Sequence, residues 1–408
     1  MRFRRGFLKR YGWAMVLALN LGLALSYVGL WGLSLARGDF WRADFTAYYT
    51  GWTLIRSGRA AELYDLAAQR EVQAQILGPY RFKDDLLPHN TLPHVAWLLT
   101  PLGALPLRTA YLVWIALNLA VLGLLLRSWW QAWADRPRRA RWLMLTAVLA
   151  FHPLLSTLML GTFGVLMTAV LWWAYRAARE EAPTGLGLAL AALSARPQTG
   201  VLPALGMAAG RRWRALGIGL VSLGLWLGMA TWRLGTAVWG DYWHLLRADS
   251  AAYGHLGIYP ETMYNLRGTL TLWLGYERAA WIGTLTWLGF GAAAFGVAWL
   301  WLRAPRPASP VWEAQWALTL GLTLFFSPHL NPQDGWLMVL PALWLDEALL
   351  RAHRPRRGWV TLALLAPLAC LVGEFALGGR LGVRVPTLVA LGLTVWSAWE
   401  WWRLQRFG

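Results

Sequence analysis

Residues 12–51 read "GWAMVLALNLGLALSYVGLWGLSLARGDFWRADFTAYYTG". A long apolar run gives way, within a few residues, to a carboxylate, Asp44, set beside Phe45, Tyr48 and Tyr49. The run from Trp13 to Leu35 is long enough for a bilayer, whose hydrocarbon core takes roughly 20 helical residues. It follows the basic start "MRFRRGFLKR", as a signal sequence would, and Ser34-Leu35-Ala36 would suit a signal peptidase. The run exceeds a usual secretory h-region, so a retained first span is expected. What Asp44 does then depends on which side of a membrane it faces.

Composition supports the membrane reading. The chain of 408 residues is 57% hydrophobic and only 14% charged, with 31 Trp, too apolar for a water-soluble surface. Spans recur along its length, which predicts one polytopic all-α transmembrane bundle over residues 1–408. The net charge of +18 would suit nucleic acid only if the basic residues shared one accessible face. They are spaced periodically instead, at "RPRRAR" (136–141), "RAAR" (176–179), "RRWR" (211–214), "RAPR" (303–306), "RAHRPRR" (351–357) and the C-terminal "WWRLQRFG". Cytoplasmic loops carry such clusters under the positive-inside rule, and no nucleic-acid partner is expected. The one cysteine, Cys370, excludes an internal disulfide framework and reads as a small packing residue.

With the basic clusters inside, about ten full spans are expected, with both termini cytoplasmic. They fall near 12–35, 108–128, 142–160, 161–176, 214–232, 280–302, 311–327, 334–350, 358–376 and 385–402. Residues 36–107 form a large first extracytoplasmic loop, with "AAELYDLAAQREVQAQILG" as an amphipathic helix and "LPHVAWLLTPLGALP" (92–106) as a re-entrant or interfacial piece broken by Pro101. "GTFG" (161–164) is a tight outer turn. Residues 184–210 have inside markers at both ends and Arg196-Pro197 in the middle, which predicts a pair of half-helices entering from the cytoplasm and returning. A second outer loop covers 233–279, and "SPHLNPQD" (327–334) a third. Thirteen of the twenty acids fall outside on this scheme: Asp39, Asp44, Glu62, Asp65, Glu71, Asp84, Asp85, Asp241, Asp249, Glu261, Glu277, Asp334 and Glu374.

Ionisable and polar residues therefore concentrate at the outer loops rather than at mid-membrane, where a transporter would place them. Arg196 is the main deep charge. On a helix Asp44 and Tyr48 share a face at i, i+4, and a carboxylate partly desolvated among rings has a raised pKa suited to a general base. Spacing alone favours an interfacial aromatic belt with an incidental acid. His329 stands between Pro328 and Pro332 behind two phenylalanines. A rigid turn can aim an imidazole into a site, to pair with phosphate when protonated or to donate one hydrogen bond when neutral; a satisfied interfacial histidine is the alternative. Asp334 carries the same ambiguity. Arg267, two residues after Asn265, suits bidentate phosphate contact or, equally, snorkelling. His89 and His94 are five apart, with Pro88 and Pro93 breaking any helix that would join them, and neither a zinc signature nor a P-loop nor a nucleophile elbow occurs.

Taken in order, "ADFTAYYTGWTLIRSGRAAELYD", "LPHVAWLLTPLGALPLRTAYLVWIALN", "GLGLALAALSARPQTGVLPAL" before "RRWRA", "MYNLRGTL" and "SPHLNPQD" resemble the membrane glycosyltransferases of family 87. These are C-type enzymes similar to the polyprenol-phosphate-mannose-dependent alpha-1,2-mannosyltransferases of bacterial envelopes. The resemblance spans roughly residues 12 to 345. It implies a sugar donor on polyprenyl monophosphate, with mannose expected, and a lipid or glycan acceptor on the extracytoplasmic face. It also implies that an acid of the first outer loop is the catalytic base, matched by Asp44, and that the histidine of the "SPH" loop, His329, lies in the site. Two departures stand out: "GTFG" lacks the Gln common after its first Gly, and Arg196 replaces the usual Lys before Pro-Gln.

The resulting expectation is an inverting displacement with Asp44 as base, the leaving phosphate meeting Arg267 and, if it is protonated, His329. Tyr48, Tyr49 and Trp52 would offer stacking faces to a sugar, and the lipid tail would lie along the 92–106 segment. His94, Asn265, Arg196 and Asp334 complete the residues expected at the substrate site. No cofactor or metal is expected, since the lipid-linked sugar is a substrate and a monophosphate leaving group needs less divalent-cation help than a nucleotide diphosphate. Two other readings exist: a lipid or solute transporter binding at the half-helix pair around Arg196, and a non-catalytic scaffold of an envelope complex.

Overall fold

The computed structural model describes residues 2–37, 43–82, 85–251, 254–256, 258–303, 305–354, 357–377 and 380–407. Asp39 and Asp84, counted above among the outer acids, lie outside the described residues, as does the side chain of Asp249. Every regular element among the described residues is helical.

Among the described residues, four helices have the length and apolarity to cross a membrane: Tyr11–Arg37, Leu107–Ala132, Trp213–Leu234 and Tyr276–Trp301. A fifth crossing results if Arg138–Leu149 and His152–Leu160, bent by 48°, act as one span. This is fewer than the ten read from the sequence, and the difference has a local cause. Most of the remaining apolar stretches form shorter helices, several of them bounded by proline or polar residues. Pro310–Phe326 has 17 residues, or about 25 Å of helix against a hydrocarbon core of about 30 Å. The stretch near 334–350 divides into a 3-10 turn, Pro332–Met338, and the 13-residue helix Val339–Arg351. Arg357–Val372 runs into a π turn, Gly373–Leu377. In Val385–Phe407 the second half is dominated by Trp396, Trp399, Trp401 and Trp402, which lowers its apolarity.

Long and short helices differ in what they face. Trp213–Leu234 exposes Leu220, Val221, Leu225, Met229 and Trp232, and Tyr276–Trp301 exposes Trp281, Leu288 and Phe295. An apolar surface of that extent is a surface for lipid. Pro310–Phe326, by contrast, is buried around its whole circumference, as a helix apolar on all sides should be, and packs against Val339–Arg351 and Val385–Phe407.

Three features of the fold position the site. The helix Asp44–Arg56 is buried from Phe45 to Trp52 and again at Leu54, resting on the helices Leu66–Leu77 and Pro93–Leu99 and on the 3-10 turn Thr100–Ala104. Its Gly51 lies against the His89 ring, where a Cβ would come within 2.5 Å of the imidazole. The turn at Gly161, with φ +68°, satisfies the conformation that glycine adopts most cheaply and starts the helix Gly164–Arg179. The half-helices Pro183–Ala192 and Pro197–Ala209 are joined through a 3-10 turn at Leu193–Ala195. The break falls on Arg196, held at φ −138°, ψ 77°, because Pro197 crowds the residue before it out of the helical region.

At the far ends of Gly164–Arg179 and Val339–Arg351, away from Phe163 and Asp334, lies a separate ionic network. Buried Arg136 pairs with Asp346 at 3.1 Å and Glu347 at 2.7 Å, and Arg179 and Arg351 flank Glu313 and Glu347.

Candidate active site

Asp44 is the first residue of its helix, preceded by Ala43 in extended backbone. A carboxylate is favourable there because the helix N-terminus carries partial positive charge. It does not cap its own helix. Its Oδ2 instead accepts a hydrogen bond from Gln333 Nε2 at 2.7 Å, across 289 positions of sequence. One turn along, the Tyr48 hydroxyl accepts from Arg196 Nη2 at 2.9 Å. Phe163 of the "GTFG" turn lies beneath both: its ring meets Tyr48 edge-on at 5.1 Å and the Arg196 guanidinium at 5.5 Å. The first loop, the half-helix break and the outer turn thus converge.

The fourth contribution is the segment 327–338. Ser327 Oγ donates to the His329 carbonyl at 2.9 Å. Asn331 and Asp334 cap the Pro332–Met338 turn reciprocally, two backbone donors satisfied at once. Thr157 Oγ1 donates to the Gln333 carbonyl. The turn therefore presents Gln333 and Asp334 from a fixed backbone, with Asp334 close enough to act electrostatically on both Asp44 and Arg196.

Burial dominates the ionisation of Asp44, which is pushed up to about 6. The Arg196 charge works against that rise, Asp334 adds to it, and the Gln333 hydrogen bond opposes it. His329 moves the other way, to about 3, through burial and then the positive charges of Arg267 and Arg196. Asn331 Nδ2 stands 3.2 Å from His329 Nε2, so with the amide as donor the imidazole is neutral with its proton on Nδ1. Of the two forms the sequence leaves open for His329, the neutral one is favoured, because two arginines already supply positive charge beside a desolvated ring.

Other residues expected to contact substrate are placed differently. Arg267 lies at the first turn of Leu266–Leu274, and its Nη1 donates to the Pro328 carbonyl at 3.2 Å. Asn265 is fully buried: its Oδ1 caps that helix through Gly268 N at 2.8 Å, and its Nδ2 donates to the Ser327 carbonyl at 2.9 Å. With the Tyr264 N–H bonded to the Leu330 carbonyl, it ties the second loop to the His329 segment. Tyr49 donates to the Leu105 carbonyl at 2.7 Å, and Trp52 is enclosed by Phe45 and Trp114. Both rings are core residues and offer no open face to a sugar, because their helix is sunk among the first-loop elements. His94 lies at the tip of the half-helix pair, its Nε2 3.1 Å from Ser194 Oγ and its ring near Trp226 and Trp239. His89 is turned elsewhere, to the Ala47 carbonyl and the Tyr64 ring.

Gln333, Phe163 and Asn331 were not singled out from the sequence. The Asn-x-x-Asp spacing of "NPQD" is a capping signature that could have marked Asn331; nothing local marks Gln333, whose partner is remote. Together the residues provide a carboxylate ionising near neutrality, two permanent cations and a neutral imidazole. That set can accept a proton from a hydroxyl while meeting negative charge that develops nearby.

The model of glycosyltransferase family 87 matches residues 93–328, more than half of the chain. His94, Arg196, Asn265 and Arg267 lie within the matched residues, whereas Asp44, His329, Gln333 and Asp334 flank them. No curated protein and no solved structure matches the chain.

Proposed function

The chain belongs to glycosyltransferase family 87 and is a membrane glycosyltransferase; from that premise we propose that it transfers a hexose, mannose foremost, from polyprenyl phosphate to a lipid or glycan hydroxyl. In the proposed step Asp44 takes the proton of the acceptor hydroxyl as that oxygen bonds to the anomeric carbon. The bond from carbon to phosphate oxygen breaks, configuration inverts, and polyprenyl phosphate leaves with the electron pair. Arg196 and Arg267 face the growing charge on the phosphate, and neutral His329 contributes its one N–H. The basic-cluster pattern supports an extracytoplasmic side for this step.

The observation that carries the reading is the convergence on Asp44: a half-buried carboxylate, hydrogen-bonded by Gln333, with the Arg196 cation close enough to act on it. A carboxylate with a raised pKa beside a fixed cation matches a base paired with an anionic leaving group. The test supplies purified protein with radiolabelled polyprenyl-phosphate mannose and a membrane lipid extract. Label should pass to an extractable product with wild type and not with Asp44→Asn, which still binds donor. Transfer from nucleotide sugars alone would overturn the donor assignment, and full transfer by Asp44→Asn would overturn the base.

A further inference from the structure

We infer that Gln333 is a positioning residue for Asp44, holding one carboxylate oxygen so that the other is presented to the acceptor hydroxyl. The inference rests on the reading of Asp44 as base and adds a residue that reading does not require.

The geometry is directional. Gln333 Nε2 donates to Oδ2 at 2.7 Å, and among the described residues no group donates to Oδ1. An amide is suited to this role because it donates without being able to give up its proton. It stabilises the ionised carboxylate, fixes the rotation of the carboxyl plane and leaves the second oxygen to accept a proton. A hydroxyl or imidazole in its place would itself exchange protons with the base.

The backbone beneath the amide is held from two sides. Thr157, on the helix His152–Leu160, donates to the Gln333 carbonyl. Asn331 and Asp334 lock the turn on either side of it. Gly164 lies close by, where a Cβ would come within 3.0 Å of the same carbonyl. Gln333 itself is buried, at 7% exposure, so its side chain has little room to swing away.

The charged groups that act on Asp44 are Arg196 at the half-helix break and Asp334 on the turn, with the Tyr48 phenol on its own helix. On the other elements packed on that helix, His94 turns to Ser194, Tyr111 to the Leu158 and Met159 carbonyls, and Glu62 and Glu71 to Arg59. Gln333 is thus a neutral side chain that donates directly to the Asp44 carboxylate, while Arg196 and Asp334 act on it through charge.

The experiment compares pH–rate profiles for transfer from polyprenyl-phosphate mannose by wild type, Gln333→Leu, Gln333→Glu and Asp44→Asn, with donor binding and thermal unfolding in detergent measured for each. Loss of the amide should move the acidic limb of Gln333→Leu up by roughly one pH unit, since a hydrogen bond to the charged form is removed. A carboxyl in its place should move it further, through like-charge repulsion. Donor affinity should stay within about threefold, because the amide faces the base rather than the phosphate. A limb that stays in place in folded Gln333→Leu, with only a lower plateau, would reduce Gln333 to packing and overturn the inference while leaving the base intact. Activity in Asp44→Asn would remove the base reading itself, and the inference with it.

Discussion

The Arg196 guanidinium donates to the Tyr48 hydroxyl at 2.9 Å across 148 positions of sequence. The contact joins the tip of a broken half-helix pair to the helix that begins with Asp44. It also explains why a deep cation is retained: Arg196 has a phenol as hydrogen-bond partner and two carboxylates, Asp44 and Asp334, within electrostatic reach. Such compensation is what a buried charge requires.

Replacing Arg196 by alanine should lower turnover at least about 100-fold, the loss typical of removing one fixed donor from a charge-stabilising site. Arg196→Lys should fall between, keeping the charge but losing the planar fork that reaches Tyr48. Single-turnover rates of both variants with polyprenyl-phosphate mannose check this, and wild-type rates in the alanine variant would refute it.

Asp44 works as a base only when ionised. Burial has raised its pKa to about 6, so activity should be nearly complete at pH 7.5 and fall about tenfold per unit below pH 6. The profile of rate at low donor concentration reads this directly; a limb near pH 4 would show an unperturbed carboxylate instead.

His329 is neutral across the physiological range, its pKa lowered by burial and by Arg267 and Arg196. His329→Ala should therefore reduce turnover without removing any limb between pH 6 and 8. Disappearance of such a limb in the variant would mean that the imidazole titrates in that window.

A methyl group at Gly51 would sit 2.5 Å from the His89 ring. Gly51→Ala should destabilise by about 1–3 kcal/mol, the usual range for overpacking, since His89 is fully buried and bonded to the Ala47 carbonyl. Unfolding in detergent should show the loss, and unchanged stability would mean that the ring relocates freely.

Arg136→Ala would remove the buried guanidinium that pairs with both Asp346 and Glu347. The expected loss is about 3 kcal/mol, with the pH profile of the remaining folded enzyme unaltered, because this network lies at the far end of the Val339–Arg351 helix. A shifted profile would connect the network to the site.

Local patterns carried much of the architecture. The helix at Asp44, the break at Arg196-Pro197, the interruption at Pro101 and the turn at "GTFG" are each set by residues adjacent in sequence, through proline sterics, glycine freedom and apolar periodicity. The number of membrane-length helices was not legible in the same way. An apolar stretch reads alike whether it faces lipid or the interior of a bundle, and Pro310–Phe326 is of the second kind.

What the sequence determined by itself was a helical membrane chain with Asp44, Arg196 and His329 as its unusual polar residues, because the cost of placing polar groups in apolar stretches makes them stand out. What only the tertiary structure decided was their partnership: Gln333 on Asp44, Tyr48 on Arg196, Tyr49 and Trp52 committed to packing, and His329 neutral. Hydrogen-bond partners and ionisation depend on distances between segments hundreds of residues apart and on the burial their packing creates, and neither is encoded in local spacing.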